Sequence, residues 1–360
     1  MAEKILMKGN EAIAISAIRN GADGYFGYPI TPQSEVMETL MKERPWLTTG
    51  MVVLQAESET SSINMVYGGA SCGKKVLTSS SSPGISLMCE GISYLAGAEL
   101  PCVVVNCQRG GPGLGTIQAS QSDYNQCVKG GGHGDYNAIV LAPSSAQDMY
   151  DHVDLGFDLA FKYRTPVIIL ADGIIGQMME KVELRPEKPR RTAEQVKADA
   201  PWATTGKSKD RNYNFITSLA LESDVQERFN QKLAAKYEVI KENEVIYETY
   251  MTEDAEYLFV AFGCSARICE AVVDQLREEG IKAGLLRPVT LFPFPTKQIQ
   301  ELAGQVKSMM SIELNLGQMV DDVKLAVNGA VPVGFYGRQG GIIYTPDEIA
   351  EAFKKFNNLK

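Results

Sequence analysis

Hydrophobic positions along the first half of the chain fall into two alternating patterns. Short apolar runs at 24–28, 51–54, 75–78, 101–106, 138–142 and 166–171 predict strands. The run at 101–106 is apolar up to its last residue, Asn106, as strands buried on both faces tend to be. Between the runs, apolar residues at helical spacing predict helices at 9–19, 32–43, 59–71, 84–95 and 148–161. Thr31 reads as the N-cap of the second helix and Pro32 as its first residue. Strand and helix in turn, with short connections, indicate an open, mostly parallel α/β sheet.

The pattern changes after residue 181. Residues 182–241 are rich in Pro and Lys and then polar, and the apolar spacing over 222–244 is heptad-like without a continuous core face. This predicts a linker and an exposed helical arm. A second α/β unit follows, with strands at 256–262, 282–286, 307–314 and 332–336 and helices at 265–279, 296–303, 318–327 and 346–356. The expected division is therefore 1–181, 182–250 and 251–360.

Composition narrows the function classes. The chain is 44% apolar and 22% charged, the balance of an ordinary globular protein. A formal net charge of −9 argues against a nucleic-acid binder, which needs clustered cations to displace counterions. No apolar run reaches the ~18–20 residues of a membrane span, and the N-terminus lacks the apolar stretch of a signal peptide. A cytoplasmic protein is expected. Seven cysteines without a CxxC pair read as reduced, mostly buried thiols rather than disulfides or metal ligands. Only His133 and His152 are available, too few for a His-based metal site, and His133 in its glycine-rich loop reads as a solvated residue.

Few residues carry candidate chemistry. Arg109 follows the strand at 101–106 in the run Gln108-Arg-Gly-Gly-Pro-Gly-Leu-Gly115. Ligands bind outside the carboxyl ends of parallel strands, and a guanidinium there can hold a carboxylate bidentately. A surface arginine in a flexible loop fits the same residues. No GxGxxG with its acidic partner and no P-loop occurs, which excludes the common dinucleotide and nucleoside-triphosphate sites. Glu59 opens a helix, where the dipole alone favours an acid by ~0.3–1 kcal/mol. With Tyr28, Thr31 and the serine-rich turn at 78–84 it reads as one wall of a cleft.

These motifs carry a resemblance. The runs Tyr28-Pro-Ile-Thr-Pro32, Glu59-Thr-Ser-Ser-Ile-Asn-Met65 with Gly69 and Gly73, Thr78-Ser-Ser-Ser-Ser-Pro-Gly84, and Gln108-Arg-Gly-Gly-Pro112 with Gln121-Ser-Asp123 resemble the alpha subunits of 2-oxoacid:ferredoxin oxidoreductases. Residues 250–350, with Arg287-Pro288 and Glu313-Leu-Asn-Leu-Gly317, are similar to the second domain of those subunits. The resemblance implies two open, mostly parallel-sheet α/β domains: a pyrimidine-type thiamine diphosphate domain, then a domain like the transketolase C-terminal domain.

It also implies roles. Glu59, with Glu57 as its rival, would face N1′ of the aminopyrimidine. Tyr28, Pro29, Ile30, Ser82 and Gly84 would line the ring, and Thr31 and Arg109 would bind the substrate's carboxylate and keto group. Asp123 would brace its loop. No Gly-Asp-Gly with following asparagines occurs; Asp172-Gly173 and Gly134-Asp135 are incomplete matches. The diphosphate and Mg2+ would then lie on a beta subunit, the [4Fe-4S] clusters on partner subunits, with gamma and delta subunits, ferredoxin and coenzyme A completing the enzyme. The 2-oxoglutarate-specific relatives tend to carry a basic residue in the loop matching 115–120, and here there is none. The expected substrate is a branched-chain 2-oxoacid, 2-oxoisovalerate (3-methyl-2-oxobutanoate). The alternatives are 2-oxoglutarate, a thiamine enzyme complete in one chain, and a non-catalytic scaffolding subunit.

Overall fold

Residues 3–207, 209 and 211–359 are described in the structure, a computed structural model. The first strand, β1 (Lys4–Lys8), stands apart. It is followed by β2 (Gly24–Gly27), β3 (Val52–Gln55), β4 (Val76–Ser80), β5 (Cys102–Gln108), β6 (Ile139–Leu141) and β7 (Pro166–Asp172), and β8 (Met179–Glu183) returns to pair antiparallel with β1. Beyond a long connection lie β9 (Tyr247–Tyr250), β10 (Tyr257–Ala261), β11 (Ala283–Pro288), β12 (Thr290–Phe292), β13 (Ser308–Glu313) and β14 (Val333–Gly337). They build a seven-stranded sheet of order β12-β6-β7-β5-β4-β2-β3 and a five-stranded sheet of order β14-β13-β10-β11-β9. Adjacent strands from β2 to β7 are parallel, as are those of the second sheet except its edge strand β9.

Alternation along the strands explains the two cores. Cys102 and Val104 enter one apolar cluster and Val103 and Val105 the other; Leu258 and Val260 likewise oppose Phe259 and Ala261. Side chains of a strand point to opposite faces in turn, so a fully apolar strand feeds both layers. Each cluster contains residues from both sheets, and the two units are therefore packed together through continuous apolar surface.

Three elements differ from the sequence reading. The second helix begins at Ser34, with Gln33 rather than Thr31 as its cap. The Pro32 carbonyl accepts from Asn10 Nδ2 at 2.7 Å and Gln177 Nε2 at 2.9 Å, tertiary contacts that hold residues 28–33 as a loop. The helix expected at 84–95 runs Ser82–Gly97, which puts Ser82 and Gly84 in its first turn. The arm is a helix, Ser223–Asn243, but it is docked: Leu233, Tyr237 and Ile240 are buried in one of the apolar clusters. Tyr237 meets Phe292 edge-on at 6.1 Å, and Glu99 binds Lys232 and Lys236 of the same helix.

The second unit also contributes β12 to the first sheet, paired antiparallel with β6, a strand that the sequence pattern does not reveal. All seven cysteines are free, five of them buried. Among the described residues no helix is long and apolar enough to cross a membrane.

Candidate active site

Four neighbouring strands, β5, β4, β2 and β3, deliver the candidate residues at one end of the large sheet. The loop after β2 carries Tyr28, Pro29, Ile30 and Thr31. Glu59 opens the helix after β3, Ser82 and Gly84 lie in the first turn of the helix after β4, and Arg109 directly follows β5. This is the end at which open parallel sheets bind ligands.

Glu59 is 6% exposed, whereas Glu57 is exposed to solvent. Ser58 caps the helix by accepting from Ser61 N at 3.3 Å, which turns the next residue inward. The serine hydroxyls flanking Glu59 in sequence are engaged elsewhere: Ser58 with Ser61, Ser61 with Glu57, and Ser62 with the Ser58 carbonyl. The Glu59 carboxylate is left without a donor among the described residues. It rests over Gly84, where an added Cβ would stand 2.7 Å from Oε1 and would also collide with Ser80 Oγ. Gly91, about two turns further along, permits the Glu59 helix to approach closely, since a Cβ there would stand 2.7 Å from Ile63 Cγ1.

Arg109 is 8% exposed and reaches across to the loop after β2. Its Nη1 donates to the Thr31 carbonyl at 3.1 Å and its Nη2 to the Leu114 carbonyl at 3.4 Å, while Nε has no partner among the described residues. Thr31 and Arg109 thus come together through the Thr31 main chain; Thr31 and Pro29 are exposed, and Tyr28 and Ile30 half-buried. Ser82 Oγ accepts from Arg109 N at 3.0 Å and donates to Asp123 Oδ2 at 2.6 Å. Asn106 Nδ2 donates to the same Asp123 oxygen at 2.9 Å. Burial holds the Asp123 carboxyl above the usual carboxylate range, and these two donors only partly offset it.

The sequence reading included Ser80, Ser81 and Gln121 in its motifs but gave them no role. Ser80 Oγ and Ser81 Oγ are buried without partners among the described residues, beside the Glu59 carboxylate and the start of the Ser82 helix. Asp172, an incomplete diphosphate motif in sequence, is a structural cap instead: its oxygens accept from Ile175 N at 3.1 Å and Cys264 N at 2.8 Å. A donor-free carboxylate, orphaned hydroxyls and a floor lacking a Cβ suit a flat heterocycle with one polar edge. The residues present fit the aminopyrimidine that the resemblance implies. Beside them, a cavity of about 620 Å³ is lined by Ser82, Leu114, Asp123 and Gln126 of the first unit and by Asn315 and Gln318 of the second, among others.

Comparison with known proteins places this geometry in context. Residues 15–252 match the family described as "Pyruvate flavodoxin/ferredoxin oxidoreductase, thiamine diP-bdg", and residues 255–349 match "Pyruvate:ferredoxin oxidoreductase core domain II". The chain is 51% identical over 354 residues to the ketoisovalerate oxidoreductase subunit VorB of Methanothermobacter marburgensis, covering 98% of this chain and 97% of that one. To the 2-oxoglutarate synthase subunit KorA of Methanocaldococcus jannaschii it is 37% identical over 363 residues, covering 96% and 98%. Among solved structures, the 2-oxoglutarate:ferredoxin oxidoreductase from Magnetococcus marinus, with 2-oxoglutarate, coenzyme A and succinyl-CoA bound, matches with a TM-score of 0.84 at 26% identity. That match covers 98% of this chain and 65% of the longer one.

Proposed function

This chain belongs to the pyruvate flavodoxin/ferredoxin oxidoreductase family, and on that premise we propose that it is the alpha-type subunit of a branched-chain 2-oxoacid:ferredoxin oxidoreductase. The enzyme converts 2-oxoisovalerate and coenzyme A to the acyl-CoA and carbon dioxide, passing the electron pair to ferredoxin. One observation carries the substrate assignment: identity is 51% to a ketoisovalerate oxidoreductase subunit and 37% to a 2-oxoglutarate synthase subunit, over nearly the full chain in both cases. The loop at 115–120, which has no basic residue to neutralise a second carboxylate, agrees with it.

Thiamine diphosphate, when bound, supplies the carbon nucleophile and takes up the electrons left behind by carbon dioxide. Glu59 would accept the N1′ proton, or hold it in place, and so set the protonation of the aminopyrimidine. Tyr28, Pro29, Ile30, Ser82 and Gly84 would hold that ring. Arg109, fixed by the Thr31 and Leu114 carbonyls, retains N–H groups for the substrate carboxylate, and Thr31 offers its exposed hydroxyl to the keto oxygen. Once the carboxylate has left, the guanidinium loses its anionic partner, which favours turnover over product retention. In this reading the diphosphate and Mg2+ are held by a beta subunit. Gamma and delta subunits and the [4Fe-4S] clusters carry electrons to ferredoxin.

The test is a substrate panel on the purified complex. 2-Oxoisovalerate should exceed 2-oxoglutarate in kcat/KM by at least roughly 100-fold, the discrimination typical of a pocket that mismatches a polar group. Equal or greater turnover of 2-oxoglutarate would overturn the assignment.

A further inference from the structure

None of the candidate catalytic residues lies in the second unit, yet that unit grips the segment that touches Arg109. Ala119 forms a β-bridge with Arg109 at one end of this segment. At the other end, Asp123 accepts from Ser82, whose Oγ accepts in turn from the Arg109 main chain. Between them lies Gln121, fully buried; its Nε2 makes a long bond to Asp172 Oδ2 of the first unit at 3.4 Å, and its remaining bonds run to the second unit. Its Nε2 donates to the Phe262 carbonyl at 2.8 Å, and its Oε1 accepts from Ser265 Oγ at 2.8 Å and Leu314 N at 3.1 Å. Its main chain exchanges further bonds, Gln121 N to the Leu314 carbonyl at 3.0 Å and Asn315 Nδ2 to the Gln121 carbonyl at 2.8 Å.

We propose that Gln121 is a positioning residue through which the second unit sets the orientation of Arg109 toward the substrate carboxylate. This rests on the reading of Arg109 as the carboxylate clamp. The transmission is short: Gln121 fixes the segment, Asp123 and Ala119 fix Ser82 and the Arg109 main chain, and the guanidinium is aimed accordingly. A fully satisfied buried amide has one well-defined arrangement, and losing it takes the Oε1 acceptor from Leu314 N and one bond each from the Phe262 carbonyl and Ser265, which keep Ala266 N and the Tyr344 hydroxyl. The segment then gains freedom at the point where it holds Arg109.

The assembled enzyme tests this with Gln121→Met, Arg109→Met and the double variant. Methionine preserves volume and removes every side-chain bond. Gln121→Met is expected to raise KM for 2-oxoisovalerate roughly 10- to 100-fold, the effect of misplacing a binding group by about 1 Å, with a smaller change in kcat. Added to Arg109→Met it should raise KM no further, because the group it positions is gone. An equal additional rise in both backgrounds, or an unchanged KM in Gln121→Met while Arg109→Met raises it, would overturn the inference and leave the clamp reading standing. An unchanged KM in Arg109→Met would instead remove the clamp reading and this inference with it. Should Gln121→Met fail to assemble, Ser265→Ala removes one bond to Oε1 along with the bond from the Tyr344 hydroxyl, which Tyr344→Phe removes alone as a control that should leave KM unchanged. The same direction of effect and the same cancellation are then expected, and their absence would overturn the proposal.

Discussion

Gly84→Ala separates the cost of packing from the cost to chemistry. Gly84 lies within the first turn of the helix Ser82–Gly97 and does not have a positive φ, so alanine suits its backbone. On helix propensity alone the change should stabilise by ~0.5–1 kcal/mol. The methyl group, however, would stand 2.7 Å from Glu59 Oε1 and 2.9 Å from Glu59 Cγ, besides colliding with Ser80 Oγ. Ordinary contact needs roughly 3.5 Å, so the carboxylate must retreat by roughly 0.8 Å. Overpacking costs ~1–3 kcal/mol, and the net loss of stability should be about 1–2 kcal/mol. A displacement of that size at a catalytic group is expected to lower turnover by about 100-fold. The assay is 2-oxoisovalerate-dependent ferredoxin reduction by the assembled enzyme, with a thermal melt alongside. Combining Gly84→Ala with Ser80→Ala removes the collision with the hydroxyl and leaves the one with Glu59, so the double variant should stay slow. Near-normal turnover in Gly84→Ala, or its recovery in the double variant, would refute the reasoning that the Glu59 position is what the glycine protects.

Further outcomes follow from the same geometry. Arg109→Met in the assembled enzyme should raise KM for the 2-oxoacid by roughly 10- to 100-fold, the worth of a charge-assisted hydrogen bond, with kcat less affected; steady-state kinetics decides it. Burial pushes the His152 imidazole down from 6.5 to about 4, with Arg287 acting in the same direction and Asp148, Asp151 and Glu248 against it. Since the unfolded chain takes up this proton first, the stability contribution is complete above about pH 6.5 and is lost as pH falls toward 4, at most about 3 kcal/mol. Melts of His152→Gln across that window should show a correspondingly shallower acid slope, and an unchanged slope would contradict it. Tyr237→Ala, which removes the ring packed against Phe292, should destabilise by about 3 kcal/mol and loosen the helix Ser223–Asn243, measurable as faster hydrogen exchange there.

What the sequence revealed depended on how local the cause was. The apolar strand at 101–106 and the helix from Glu59 follow from their own residues, and they appear as β5 and the helix Glu59–Ser71. The early start of the Ser82 helix was also readable, because Pro83 in the first turn is a helix-start signal. The docking of the 223–243 helix was not. Leu233, Tyr237 and Ile240 have the spacing of a buried stripe, but their burial depends on Phe292 and other residues remote in sequence. The pairing of β12 with β6 is remote in the same way. At the candidate site, motif resemblance pointed to Glu59 and Arg109, and the structure adds that Arg109 meets the Thr31 carbonyl rather than its hydroxyl. Gln121 stood within the motif Gln121-Ser-Asp123, but its role was not legible, since its partners Phe262, Ser265, Leu314 and Asn315 meet it only in the folded chain.

The central claim is that this chain supplies the carboxylate that governs the aminopyrimidine. Its most direct test is turnover of 2-oxoisovalerate by the reconstituted complex carrying Glu59→Gln, a change that keeps the side chain's size over Gly84 and removes its ability to exchange a proton. Turnover should fall by at least ~100-fold with the complex still assembled. Near-normal turnover in that complex would contradict the account.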